Sequence, residues 1–367
     1  MKEKIRIEDY GIFVTLIITV LGINIFSYPR SVTKILNTEG WIATILAGII
    51  AYYILVIIYK TVKINEFRGF NNLLESNFGK FLGKIIALIF AIYNIIFSAI
   101  GLRIFAEVIK MYLLEKTPTE LIILLLILVG SSVVRGGISS IIKFNEVVFW
   151  CVVIPLGLSL LLTINNIDLT NVLPVFNNKP MQYIQGSLRS VFAFIGINIA
   201  YLIIPYAKNR DRLKKTFSKA IIFICICYIV VTIFSLGIFT KKEVQNLLWP
   251  TITMIKSIDI PEAFIERWDG VVMVFWILFF FTNFINMYFF SAEITGKAFN
   301  FLDVKLGSLI VTPLFYFIAL IPENIAQVYE VKSMFLYKIS SVLIIILPLI
   351  IYAVSKIRQR GEVRHES

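Results

Sequence analysis

The sequence predicts an all-α integral membrane protein of about ten transmembrane helices, folded as a 5+5 inverted repeat with helices 1 and 6 broken. Three observations predict it. Of 367 residues, 58% are hydrophobic and 16% charged, against roughly 25% charged in soluble globular domains. The apolar residues form continuous runs, among them 85–102, 149–164, 221–239 and 271–287, between short polar connections. Runs of that kind, extended by weakly polar flanks, suit helices crossing a bilayer rather than the period-two strands of a barrel. Lastly, two of the spans carry matching interruptions, five spans apart.

Taken in order, the first five spans fall near 10–27, 41–59, 81–112, 118–134 and 144–164, and the second five near 187–206, 216–239, 268–294, 307–321 and 334–354. The whole chain, 1–367, forms one transmembrane domain, with repeats at about 9–164 and 183–354. Lys2, Lys4 and Arg6 ahead of the first span give it the look of a signal peptide. Glu8 and Asp9 interrupt that basic stretch, however, and no small-residue cleavage site follows, so the span is expected to stay in the chain. With the N-terminus cytoplasmic, most of the 35 Lys and Arg residues lie on inward segments, notably Lys60, Lys63, Arg68, Lys214, Lys215 and Lys356. That bias puts both termini in the cytoplasm. The formal net charge of +12 is thereby a topology signal, and nucleic acid is not expected as a partner.

Enzyme chemistry has no visible carrier. Cys151, Cys225 and Cys227 sit inside apolar runs and the single histidine, His365, lies in the tail. A disulfide framework, a metal site and a cofactor are therefore not expected. Within the spans, Arg103 and Glu107 stand one helical turn apart and should neutralise each other, and Glu293 has Lys297 at the same spacing. Glu266, Arg267 and Asp269 open the eighth span as anchors or as a subunit contact.

The interruptions point to a binding site. The first span reads Gly22-Ile23-Asn24-Ile25-Phe26-Ser27-Tyr28-Pro29; the sixth reads Phe194-Ile195-Gly196-Ile197-Asn198 and ends at Pro205. Glycine weakens a helix and proline removes a backbone donor. Breaks at matching places in two halves indicate an inverted-repeat transporter fold with its site at mid-membrane. A half-helix beginning near Pro29 would offer N–H groups to an anion, and the carbonyls ending the preceding half would attract a cation. A small zwitterion such as an amino acid satisfies both. The expected site comprises Gly22, Ile23, Asn24, Ile195, Gly196 and Asn198 at the breaks, with Tyr93 and Phe97 on the third span and Asn283 and Met287 on the eighth, each pair on one helix face.

Further segments carry a resemblance: Gly40-Trp41-Ile42, Phe78-Gly79-Lys80-Phe81-Leu82-Gly83-Lys84, Glu115-Lys116-Thr117-Pro118, Leu173-Pro174-Val175, Trp249-Pro250-Thr251-Ile252, and Ile265-Glu266-Arg267-Trp268-Asp269 with Trp276. With the Gly22 to Pro29 break, they resemble, in order and over nearly the whole chain, the spore germination permeases, the B subunits of nutrient germinant receptors. The resemblance implies the LeuT-like fold of the amino acid/polyamine/organocation superfamily, with helices 1 and 6 unwound around the ligand. It further implies a location in the inner membrane of the bacterial spore and a partnership with a larger A subunit and a lipoprotein C subunit. The expected function is sensing of a small nutrient, an amino acid, to trigger germination. A free-standing amino-acid transporter and a membrane scaffold for the partner subunits are the alternatives.

Overall fold

The computed structural model describes residues 6–22, 24–257, 268–331, 339–340 and 342–365. Nearly all of them are helical. Helix α1 (Asp9–Leu21) and α2 (Asn24–Leu36) make up the first span, and a short turn leads into α3 (Gly40–Ile64). A connector helix α4 (Phe70–Phe78) precedes α5 (Lys80–Tyr112), then come α6 (Thr119–Val134) and α7 (Gly137–Thr163). The sixth span is composite: α8 (Pro180–Ser190), a 3₁₀ segment (Val191–Ile199), α9 (Ala200–Ile203) and a last 3₁₀ turn (Ile204–Tyr206). After it follow α10 (Leu213–Ile238), two short helices α11 (Lys241–Asn246) and α12 (Pro250–Lys256), α13 (Trp268–Ala298) and α14 (Val304–Leu320). The chain closes with α15 (Ile325–Val331), a π-helical turn (Val342–Ile346) and α16 (Leu347–His365). The start expected for the tenth span, near 334, lies outside the described residues, as do residues 258–267 with Glu266 and Arg267; of the Asp269 side chain nothing is described.

By length and composition, seven helical stretches among the described residues can cross a membrane, and α14 with α15, bent by 115°, makes an eighth. One of the seven, Asn24–Ile64, turns between α2 and α3, while α1 and α6 are shorter apolar helices. The outward side chains are apolar, including Phe81, Ile89, Leu125, Trp150, Leu161 and Phe317, as lipid requires. Inside, α1 packs on the 3₁₀ segment of the sixth span, α3 on α10, α5 on α13 and α6 on α14. The first four spans thus each touch their counterpart five spans later, the contact pattern of an inverted repeat.

Close crossings depend on small residues. A Cβ on Gly307 would lie 2.1 Å from the Ala292 carbonyl oxygen, so α14 crosses α13 at backbone distance. Both ends of the bundle are tied. At the end rich in basic residues, the Ile7 N–H donates to the Tyr206 carbonyl (2.8 Å), the Lys208 N–H donates to that of Ile7 (2.9 Å), and Lys208 pairs with Glu8 at 2.5 Å. At the opposite end Arg30 Nε donates to the Gln245 carbonyl (3.2 Å) and Gln245 Nε2 to that of Thr33 (3.0 Å). The first span is thereby fastened to the sixth at one end and to α11 at the other, leaving its centre enclosed. Arg103 and Glu107 form an ion pair at 3.0 Å, Arg103 also donating to the Glu323 carbonyl, and Lys297 pairs with Glu293 at 2.6 Å.

Replacing Gly307 by valine should push α14 off α13. The expected loss is about 1–3 kcal/mol of stability, the usual cost of overpacking, measurable by chemical unfolding in detergent micelles; an unchanged midpoint would contradict the close crossing.

Candidate functional site

The break in the first span is set by Gly22, whose φ of +33° is costly for any residue with a Cβ. Ile23 lies outside the described residues. The helix resumes at Asn24 and not near Pro29, which is the sixth residue of α2. Proline at that place is tolerated because its missing N–H is made good from elsewhere. The carbonyl it leaves unbonded, that of Ile25 four residues back, accepts a hydrogen bond from Thr251 Oγ1 at 2.8 Å. Thr251 belongs to the Trp249-Pro250-Thr251 segment at the start of α12, so this short helix holds the proline-bearing half of the span.

Ending α1 inside the bundle frees carbonyls where no bulk water is available. The oxygens of Ile18, Thr19 and Val20 have donors on other helices, that of Ile18 in addition to the Gly22 N–H at 3.3 Å. Asn283 Nδ2, on α13, donates to Ile18 O (3.0 Å) and Thr19 O (2.7 Å). The Tyr228 hydroxyl, on α10, lies 3.3 Å from Val20 O and 3.1 Å from Ala193 O, and so bridges the first and sixth spans. Tyr28 stacks on Tyr228 with ring centroids 4.1 Å apart and shares a hydrogen bond with Thr44 at 2.7 Å. Phe26 stacks on Trp276 at 4.1 Å, securing α2 to α13.

The sixth span answers the first break with a tightened helix. Its nine-residue 3₁₀ run contains Ile195, Gly196 and Asn198, all buried. A Cβ on Gly196 would lie 2.2 Å from the Thr19 carbonyl oxygen; only glycine lets the two spans approach that closely. A Cβ on Gly22 would lie 2.6 Å from the Asn283 side chain. Gly22, Gly196 and Asn283 therefore converge on the last turn of α1. Asn24 opens α2 and is buried. Phe97 sits on the far side, edge-on to Phe192 at 6.0 Å, at the start of the 3₁₀ run. Tyr93 stacks against Phe97, but its hydroxyl is turned away to Ser340. Met287 is buried one turn below Asn283, and Asn198 is buried with its Oδ1 lacking a hydrogen-bond partner among the described residues.

A second polar cluster lies one turn from Asn283. Asn286 Nδ2 donates to Thr19 Oγ1 (2.9 Å), Asn145 Nδ2 to Asn286 Oδ1 (3.0 Å) and to Thr15 Oγ1 (2.9 Å), while Thr19 Oγ1 donates to Thr15 O (2.6 Å). All four residues are buried. The cluster knits α1, α7 and α13 with neutral amides and hydroxyls. It lies outside the expected site residues, although Thr15 and Thr19 at helical spacing and asparagines within apolar helices are legible signs of polar interhelical contacts.

Residues 6–328 match the spore germination protein family. The chain belongs to that family. Its curated relatives include spore germination protein A2 of Bacillus subtilis, 28% identical over 344 residues and 93% of each chain. Spore germination protein GerLB of Bacillus cereus is 24% identical, covering 98% of this chain and 96% of its own. Solved structures with the same fold include a Na+-coupled sialic acid symporter in a substrate-bound outward-open state (TM-score 0.67, 12% identity, 96% of this chain and 81% of that one). Mhp1, a nucleobase-cation-symport-1 family transporter in a closed conformation, superposes with a TM-score of 0.70 at 11% identity, covering 93% of this chain and 78% of that one. The chain is thus an integral membrane protein of the inverted-repeat transporter fold with a role in spore germination.

Replacing Tyr228 by phenylalanine leaves Val20 O and Ala193 O without their donor and should cost about 1–3 kcal/mol. Thr251→Val should act alike through Ile25 O. Unfolding of the purified variants checks both, and neutral substitutions would mean that these carbonyls have other partners.

Proposed function

We propose that this protein is the germinant-sensing membrane subunit of a spore nutrient receptor, binding a small amino acid at the break between α1 and α2 and the 3₁₀ segment of the sixth span. The carrying observation is the convergence of Gly22, Gly196 and Asn283 on the end of α1, where backbone polar groups stand in a water-poor interior. The dipole of α1 ends there negative and that of α2 begins there positive, a pairing suited to the ammonium and carboxylate of one zwitterion. Asn24 and Asn198 supply polar groups, and Phe97, Ile195 and Met287 bound the ligand's side chain, with Tyr93 behind Phe97. Ile23, between Gly22 and Asn24 in the sequence, completes the proposed set.

In this reading the two repeats are 9–164 and 183–354 of a single domain, both termini face the spore core, and the protein resides in the spore inner membrane. Ligand binding biases the packing of the first and sixth spans against α5 and α13, and a larger A-type subunit with a lipoprotein C-type subunit reads the change. A ligand moves such an equilibrium only by its affinity difference between the two states, about 1.4 kcal/mol per tenfold. The likeness to two transporters favours a second reading, in which the same site serves uptake by alternating access.

Spores carrying Phe97→Ala or Ile195→Ala are the test. A changed preference among amino acid germinants, at unchanged levels of the three subunits on immunoblots, is the expected result. An unchanged preference would move nutrient recognition to a partner, and uptake of labelled amino acid by the chain alone in proteoliposomes would favour the transporter.

A further inference from the structure

The carbonyls that would receive a ligand's donor group are already occupied. Asn283 Nδ2 takes both Ile18 O and Thr19 O, and its side chain rests on Gly22 at a distance no Cβ would permit. We propose that the Asn283 carboxamide is an internal competitor for the site, filling it in the free protein, and that its eviction is the event that binding must drive. This inference rests on the reading given under Proposed function and adds how the site is regulated.

Two observations separate Asn283 from an ordinary packing asparagine. Its neighbour Asn286, one turn on, is wholly buried and joined to Thr19 Oγ1 and to Asn145 on α7. Asn283 keeps part of its surface accessible although it bonds to the buried end of α1. The first attachment of α13 to α1 is therefore fixed and the second releasable. The two bonds of Asn283 also differ in kind from those of Asn286. They go to main-chain oxygens of a broken helix, which any ligand group with two N–H donors, a primary ammonium above all, can satisfy in its place. Eviction leaves Asn286 as the pivot and frees the side of α13 nearest Gly22 to move, so occupancy of the site is converted into a change of α13 against α1.

A resident competitor lowers apparent affinity, because ligand must displace it before binding. Removing it should tighten binding even though a contact is lost. The test uses the full chain in lipid nanodiscs, comparing wild type with Asn283→Ala and with Asn283→Asp at pH 8, which keeps the shape of the side chain but not its donors. Equilibrium binding of tritiated glycine, L-alanine, L-valine and L-asparagine is measured along with amide hydrogen exchange over 18–26. Asn283→Ala is expected to bind the best of these amino acids at least tenfold more tightly, and both variants to exchange at least fivefold faster with no ligand present. Equal or weaker binding by Asn283→Ala overturns the proposal. If neither wild type nor Asn283→Ala binds any of the four, the site reading itself fails, and the exchange then decides the competitor alone: faster exchange in both variants supports a releasable tie, unchanged exchange in either overturns it.

Discussion

The constraint on which the rest of the structure depends is the demand of the backbone carbonyls at the end of α1. A helix that stops inside a membrane protein exposes polar oxygens to a medium without water, and each left unbonded costs several kcal/mol. In this chain the oxygens of Ile18, Thr19 and Val20 are met by Asn283 and Tyr228, and that of Ile25, orphaned by Pro29, is met by Thr251. These donors come from α13, α10 and α12. One local break thereby recruits three distant elements, and their positions follow from its needs.

The same constraint connects fold to function. Gly22 permits the turn, Gly196 permits the sixth span to lie on the Thr19 carbonyl, and the paired asparagines of α13 hold the joint from the third side. An enclosed site of this construction takes its polarity from the freed backbone and from the neutral amides of Asn24, Asn198 and Asn283. Hydrogen-bond donors, not an ionised side chain, now balance it, which suits a ligand bearing both charges itself.

The frame was legible because it rests on patterns along the chain: continuous apolar runs mark helices, and Gly-Asn-Pro interruptions five spans apart mark the repeat. Gly22 and Gly196 were legible for the same reason, as was Asn283, a polar residue in an apolar span. What escaped depends on how helices rotate against each other. Tyr228 reads as one aromatic among many in α10, and nothing in its neighbours tells that its hydroxyl reaches two other spans. Tyr93 sits on the expected face with Phe97, yet its hydroxyl turns to Ser340. The restart of the first span at Asn24 was hidden because proline normally argues against a helix, and the compensating Thr251 lies over two hundred residues away in sequence. The 3₁₀ form of the sixth span, where it lies against α1, is encoded by no local sequence rule.

Electron cryomicroscopy of the full chain in nanodiscs, with and without a saturating amino acid, tests the central claim most directly. Ligand density between the end of α1, the start of α2 and Gly196, with the Asn283 side chain drawn away from Ile18 O and Thr19 O, is the expected result. Density elsewhere, or ligand bound with Asn283 still on those two carbonyls, would contradict it.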